Sequence, residues 1–321
     1  MEALPRQAEE HRDYPISLPS CGSGRLAMII VTYNSAEVLP GLLDSLLTGL
    51  KGVAGHEVIV VDNDSTDDSV ELARTHPIGA RIIEMGRNAG YAAGINAATA
   101  TVMPATDVLV LNPDIRLHPG AAGRLSELLK DESVGVVAPQ ILGENGKVCH
   151  SLRREPSIRT VWSDALIGTK LAARIGLGEI VADPVLYEQG GPIEWATGAI
   201  LAISARARLT VGDWDESFFL YSEEVDYLER VRRSGLSVLY DTNARAVHIG
   251  GAYHDNPHLS ALMTANRIRY YRRHHGPTAT MLFRLGIIVG ETMRIMLGPG
   301  HRAALRAALT FHREHCAERR Q

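Results

Sequence analysis

Acidic residues recur in this chain just where apolar runs end. The run HEVIVV is followed by Asp62-Asn63-Asp64, and DVLVL by Asn112-Pro113-Asp114. Such carboxylates can accept hydrogen bonds from a pyrimidine ring N–H or a ribose hydroxyl. They can also ligate a hard divalent cation that neutralises a nucleotide diphosphate. Asp62 suits the first task; Asp114, with Asn112 beside it, suits the second. Each residue also suits a structural task, since Asp and Asn fill N-caps and turns, and Asn-Pro-Asp is an ordinary turn sequence.

A third cluster, Glu223-Glu224-Val225-Asp226, follows the aromatic run Phe218-Phe219-Leu220-Tyr221, with Ser222 as the expected N-cap. Direct displacement at an anomeric carbon needs a base for the acceptor hydroxyl proton, and a carboxylate supplies one. The dipole at a helix N-terminus favours the ionised form, so Glu223 and Glu224 are expected to be charged at neutral pH. Asp226–Arg230 and Glu229–Arg233 stand four apart and explain themselves as helix ion pairs; Glu223 and Glu224 have no such partner. His248, just before Gly250-Gly251, is either a structural histidine or a neutral imidazole completing a metal shell. The segment GRNAGYAAGIN spaces Gly86, Gly90 and Gly94 four apart and lacks the dinucleotide-binding pattern after the first strand. Its glycines suit close helix–sheet packing or backbone approach to a phosphate, with Arg87 and Asn88 as candidate donor contacts.

Regular elements must position these groups. LAMIIVTYN, HEVIVVDND, ARIIEM, DVLVLNPD and VGVVAPQIL read as strands. AEVLPGLLDSLLTGL, STDDSVELARTH, GYAAGINAATATV and HPGAAGRLSELLKDES read as the helices between them, the second capped by Ser65 or Thr66. Strands alternating with helices imply an α/β fold with parallel pairing through right-handed crossovers. Continuous Val/Ile/Leu runs imply that both sheet faces are covered. Ligands of such sheets bind outside the carboxyl ends of the strands. That puts Thr32–Asn34, Asp62–Asp64 and Asn112–Asp114 along one rim. Past about residue 150 the rhythm breaks. Residues 151–190 read as an Arg-rich, then helical, insert facing an acceptor. IEWATGAILAISARA reads as one or two return strands, SEEVDYLERVRRSG as a helix ended by Gly235, and LSVLYDTNARAVHIGG as a strand and turn.

The segments VTYN, EVIVVDNDSTDDS, GRNAGYAAGIN, LVLNPD, EWATGAILAI, WDESFFLYSEEVDYLERVRRSG, VHIGG and RYYRRHHG occur in that order over roughly residues 26–276. Together they resemble family 2 glycosyltransferases, especially the rhamnosyltransferase-like branch. The resemblance implies the GT-A fold, a Rossmann-like, mixed and mostly parallel sheet flanked by helices. It also implies inverting chemistry, a divalent cation (Mg2+ or Mn2+) and a nucleotide-diphosphate sugar donor, dTDP-rhamnose or another dTDP-deoxyhexose first and a UDP-sugar next. By position, Thr32, Tyr33, Asn34 and Asp62 would hold the nucleoside, and Asp114 would be the metal ligand. Trp195 and Gly198 would line the acceptor side, Glu224 would be the base, and His248 would contact metal or diphosphate. The chain departs from the family pattern at three points. The DxD motif reads NPD, which removes one carboxylate. GGFDE reads GDWDE. The Glu-Asp pair reads Glu223-Glu224, so the base position carries a longer side chain and either glutamate can fill it. Those substitutions are what a non-catalytic nucleotide-sugar-binding homologue would show. A nucleotidyltransferase would need a glycine- and Lys/Arg-rich loop after the first strand, and VTYNSAEVLPG is not one.

The boundaries expected are a flexible leader (1–24), a catalytic domain (25–265) and a helical, basic extension (266–321). The catalytic domain divides into a nucleotide-sugar half (25–150) and an acceptor half (151–265). A net charge of -4 and 5% aromatic residues argue against nucleic acid as a partner. Cys21, Cys149 and Cys316 are far apart and odd in number, which suits a reducing, cytoplasmic setting. The polar start lacks a signal-peptide core, and no apolar run reaches the roughly 18 residues of a membrane span. Residues 266–321 carry eleven Arg against three Glu, and Arg284 and Glu291 stand seven apart, marking an amphipathic helix. That helix suits an anionic membrane surface at the inner face of the membrane and a lipid-linked acceptor. It equally suits packing on the catalytic domain or across a homodimer interface, which allows a soluble natural-product acceptor.

Overall fold

Apolar runs without alternation cannot leave one sheet face in water, and here both faces are covered. The structure is a computed structural model that describes residues 25–250 and 256–318; the expected leader, residues 1–24, and Gly251 lie outside the described residues. Strands β1 (Arg25–Thr32), β2 (Gly55–Asp62), β3 (Arg81–Glu84) and β4 (Asp107–Leu111) run parallel in the order β3-β2-β1-β4. Helices α1 (Leu39–Gly49), α2 (Ser69–Thr75) and α3 (Tyr91–Thr99) connect them. Alternate β1 residues serve opposite layers. Leu26, Met28 and Ile30 pack with Leu42, Leu43 and Leu46 of α1, while Ala27, Ile29 and Val31 pack with Ala92 and Ile95 of α3.

The chain continues through β5 (Ile115–Leu117), α4 (Ala121–Leu128), β6 (Val134–Leu142) and β7 (Leu152–Arg153). The helical insert follows as α5 (Ile158–Ile167), α6 (Thr169–Arg174) and α7 (Pro184–Gln189). Then come β8 (Gly191–Pro192), β9 (Trp195–Ala196), β10 (Ile200–Ile203), α8 (Ala205–Val211), α9 (Glu223–Arg233) and β11 (Ser237–His248). The main sheet has nine strands in the order β3-β2-β1-β4-β10-β6-β11-β5, with β8 added on β11. β10 runs antiparallel to both its neighbours, and β5 antiparallel to β11. The sheet is mixed and mostly parallel, as the alternation of elements predicts. Chain order reverses at β1, which has β2 on one side and β4 on the other, so the crevice at their carboxyl ends is the switch point where such sheets bind ligands.

Two local expectations differ. Helix α2 starts four residues later than its expected Ser65 cap, and Asp67 accepts from the Ser69 N–H at 3.1 Å. Ser65 and Thr66 instead tie the β1 and β2 loops together, through Asn34 N–H to Ser65 Oγ (2.8 Å) and Thr66 N–H to Asn34 Oδ1 (2.8 Å). The three-residue strand β5 has no legible signal in the sequence, because its strand partner, β11, is more than 120 positions away.

The C-terminal helices α10 (Pro257–His274), α11 (Pro277–Met293) and α12 (Pro299–Glu318) build a third core with α5, in which Val161, Ile268, Tyr271, Phe283, Ile287 and Ala308 are buried. Helix α10 clasps the catalytic domain. Asn266 donates to Leu220 O at 2.9 Å, His274 Nε2 approaches Asp226 at 3.4 Å, and Tyr270 bonds Glu155. Packing on the domain is thus the arrangement adopted. The expected polar face of α11 turns inward: Arg284 donates to Ala308 O and Leu309 O of α12 (2.6 and 2.8 Å), and Glu291 meets His301 at 2.8 Å. It is Met281, Leu285 and Met293 that are exposed. Among the described residues no helix is long and apolar enough to cross a membrane.

Candidate active site

The β1, β2 and β4 carboxyl ends bring the first set of expected residues to one rim. Thr32 is buried, and its hydroxyl has no hydrogen-bond partner among the described residues. Tyr33 is half exposed. Asn34 adopts a left-handed backbone (φ 48°) and spends its side chain on the Ser65–Thr66 turn. Asp62 divides its two oxygens. Oδ2 accepts from the Ser65 N–H at 2.9 Å, the turn role, while Oδ1 is shielded and unpartnered. Arg87 is exposed in the β3–α3 loop. Of the three spaced glycines, Gly94 is the helix-packing one: a Cβ there would lie 2.8 Å from Val31 Cγ1.

Asn112 donates its N–H to Ala199 O at 2.8 Å, fixing the turn that carries Asp114. Antiparallel pairing sets Ile115 opposite His248, and the Ile249 N–H closes the turn on Asp114 O at 3.0 Å. As a result His248 Nε2 lies 3.1 Å from Asp114 Oδ2, so two residues 134 apart in sequence meet. Gly250 is required there, since a Cβ would stand 2.0 Å from Asp114 Oδ2. Asp114 Oδ1 is shielded and has no partner. An oxygen and a nitrogen ligand side by side, one carboxylate oxygen orphaned, fit a divalent cation whose remaining positions come from diphosphate and water. Among the described residues no group of three or more His, Cys, Asp or Glu could hold a metal without such help.

The acid helix α9 is entered through strained backbone: Tyr221 and Ser222 both have left-handed φ, 71° and 74°. Such conformations cost about 1–3 kcal/mol each and persist only where neighbours over-determine them. Here the Tyr91 N–H bonds Phe219 O at 2.9 Å and Asn266 holds Leu220 O. Gly90 (φ 92°) leaves the space that a Cβ, 2.3 Å from Phe219 O, would need. Ser222 occupies the cap position, but its hydroxyl makes no cap bond, because that bond needs an extended backbone.

This entry turns Glu223 and Glu224 inward. Glu223 is buried, and Oε2 of each is shielded without a partner. Desolvation pushes the Glu224 carboxyl up to about 7, against the pull of first-turn backbone N–H groups and Arg153. Burial, and then the charge of Glu224, holds Glu223 well above the usual carboxylate range. Desolvation thus opposes, and outweighs, the helix dipole that favours the ionised form. Gly198 packs on Glu224, where a Cβ would lie 3.3 Å from the Glu224 Cβ. Trp195 is buried, donates to Arg154 O at 2.8 Å, and lines a cavity together with Glu224.

Tyr91, which the sequence did not single out, connects the two halves of the site. Its hydroxyl donates to Gly198 O at 3.0 Å. Burial, then the charges of Glu223, Glu224 and Asp114, raise its phenol well above the ordinary value. A lone aromatic directly after the left-handed Gly90 was the one signal available for it. Arg153, the cation facing Glu224, lay within the expected acceptor insert without a distinguishing pattern.

The model of the glycosyl transferase family 2 matches residues 27–177. The N-acetylglucosaminyl-diphospho-decaprenol L-rhamnosyltransferase of Mycobacterium tuberculosis is 27% identical over 70% of this chain and 75% of its own length. The low-salt glycan biosynthesis hexosyltransferase Agl10 of Haloferax volcanii is 29% identical over 70% of this chain and 66% of its own. Among solved structures, the mannosyltransferase PcManGT from Pyrobaculum calidifontis, in complex with GDP-Man and Mn2+, superposes with a TM-score of 0.55. It does so at 17% identity over 95% of this chain and 79% of that one, a likeness of fold. With strand order, rim and sequence match in agreement, residues 27–177 match a glycosyl transferase family 2 domain, and the chain is a glycosyltransferase of GT-A fold, similar to the rhamnosyltransferase-like branch.

Proposed function

We infer that the chain is an inverting transferase that moves a sugar from a nucleotide diphosphate to a lipid-linked acceptor hydroxyl, with Glu224 as the base. The observation that carries this is the Glu224 carboxylate, whose Oε2 is shielded and unpartnered and which, with Asp114, acts on the buried Tyr91 phenol. A base near pH 7 is well matched to taking a hydroxyl proton. Thr32, Tyr33 and Asp62, with Arg87 of the exposed β3–α3 loop, bind the nucleoside and orient the donor; Asn34 shapes the first loop. Asn112 holds the turn of Asp114. Asp114 and His248 would hold Mg2+ or Mn2+, which when bound offsets the charge developing on the leaving diphosphate.

Glu224 takes the proton as the acceptor oxygen attacks the anomeric carbon from the face opposite the diphosphate. The carbon–oxygen bond to the diphosphate breaks with its electron pair leaving on the nucleotide, and the configuration inverts. A rhamnose or other deoxyhexose on dTDP is the first donor to test and a UDP-sugar the next, in keeping with the rhamnosyl and diphospho-decaprenol groups in the mycobacterial relative's name. Glu224→Gln should lower transfer by roughly 10²–10⁴-fold, the usual contribution of a positioned base. Donor binding, measured by thermal shift with Mn2+ across a nucleotide-sugar panel, should stay near the parent value. Ordinary turnover in that variant would sink the assignment. A parent chain that binds donor but releases no nucleoside diphosphate would mark a non-catalytic homologue.

A further inference from the structure

The turn that carries Asp114 is held by a half-buried arginine for which the transfer chemistry has no use, Arg116 of β5. Its Nη1 donates to Pro113 O at 3.3 Å and to Ile115 O at 2.9 Å, the carbonyls of the residues before and after Asp114. Its Nη2 donates to Val38 O at 2.7 Å, where α1 begins. Val38 in turn donates its N–H to Ser35 O at 3.0 Å, and the Ser35 hydroxyl donates to Tyr33 O at 3.2 Å. One guanidinium thus joins the loop that follows β1 to the turn of Asp114, across 78 positions of sequence. Gly41 keeps the space open, since a Cβ there would stand 2.5 Å from both Nε and Nη2 of Arg116.

These bonds bear directly on Asp114. The carbonyls on both sides of it are tethered, and its own carbonyl accepts from the Ile249 N–H at 3.0 Å. The backbone that aims its carboxylate at His248 therefore has little freedom to turn. A planar guanidinium suits this task because its donors are fixed relative to one another, whereas a lysine ammonium is a point charge on a flexible stem. Charge alone would act the wrong way. The charges of Arg116 and Asp114 act on one another, and a permanent cation there repels a divalent cation at the same carboxylate. Arg116 helps such a site only by what it holds in place. We propose that Arg116 is a positioning residue: by fixing the Asp114 turn against the loop after β1, it sets the affinity of the Asp114–His248 pair for a divalent cation. The inference rests on the reading of Asp114 and His248 as the metal ligands.

The full chain is titrated with Mn2+ alone, and again with dTDP or UDP present. Free Mn2+ is read by electron paramagnetic resonance against protein-free blanks. Arg116→Met removes the fork and the charge; Arg116→Lys keeps the charge and loses the fork. Arg208→Met is the comparison. That guanidinium also ties carbonyls, Thr99 O at 3.2 Å and Thr106 O at 2.5 Å, but at the amino end of β4, away from the rim. Both Arg116 variants should bind Mn2+ at least fivefold more weakly than the parent; groups that orient a metal ligand typically contribute roughly 10–100-fold. Arg208→Met should bind it within twofold of the parent. Far-UV circular dichroism checks each fold, and if Arg116→Met does not fold, Arg116→Lys alone decides. A loss below fivefold in a folded Arg116 variant overturns the proposal. So does tighter binding by Arg116→Met, the result that charge alone would give, or an equal loss in Arg208→Met. A parent that binds no Mn2+ under any of these conditions, or a His248→Ala variant that binds it as the parent does, overturns the metal reading and the proposal with it.

Discussion

Single side chains here are governed by what they lose from water. Glu224 and Glu223 sit at the positive end of a helix, which alone would lower their pKa. Yet burial dominates, and Glu224 reaches about 7. With Glu224 as the proposed base the sign follows directly: below that value its carboxyl is protonated and cannot accept the acceptor's proton, so activity should be lost as pH falls. kcat/KM should therefore rise through a limb near pH 7 and flatten above it, measured as nucleoside diphosphate release at saturating Mn2+. A limb near 4.5, the ordinary glutamate value, would contradict the desolvated environment. The acids at strand ends were legible in the sequence because Asp after a Val/Ile/Leu run is conspicuous. Their two-sided use was not: Asp62 gives one oxygen to a turn and keeps the other free, and only the folded loop separates those roles.

At the scale of elements, α9 is aimed by its neighbours. The strained Tyr221–Ser222 entry is held by α3 through Phe219 O and by α10 through Leu220 O. The third core anchors α10 in turn, with Phe283 stacked on Tyr271 at a centroid distance of 3.9 Å. Phe283→Ala should cost about 3–5 kcal/mol, as for a fully buried aromatic, read as a lower urea midpoint at unchanged slope. A cost below 1 kcal/mol would mean that the extension is only loosely attached. Helix α11 shows what periodicity alone leaves open. Arg284 and Glu291 do share a face, but that face meets α12 and not solvent. A seven-residue spacing says which residues lie together and nothing about what lies opposite them.

Across the whole molecule, the sheet draws β10 and β11 from the later half of the chain into the frame of the first, and the C-terminal helices close over α5 and α9. The extension is thus structurally continuous with the catalytic domain. Ending the chain after Ala265 should uncover Val161, Glu155 and Asp226, which lose Phe283, Tyr270 and His274 as neighbours. The expected result is a protein that melts at least 10 °C lower or fails to stay in solution, and that transfers no sugar. A truncated chain with parental melting and transfer would show the helices to be dispensable.

The sequence by itself determined the α/β alternation, the rim of strand-end acids and the acid helix, because these follow from local periodicity and from where apolar runs stop. The C-terminal helices were also legible, but what they pack against was not. Only the tertiary structure decided that Asp114 meets His248, that Tyr91 is buried within the influence of three carboxylates, and that Glu224 lines a cavity with the extension. Those facts depend on pairing and burial between segments distant in sequence, 134 residues apart for Asp114 and His248. They also bear on the chemistry, since desolvation that no local pattern encodes raises the carboxylates at the start of α9 above the ordinary glutamate value.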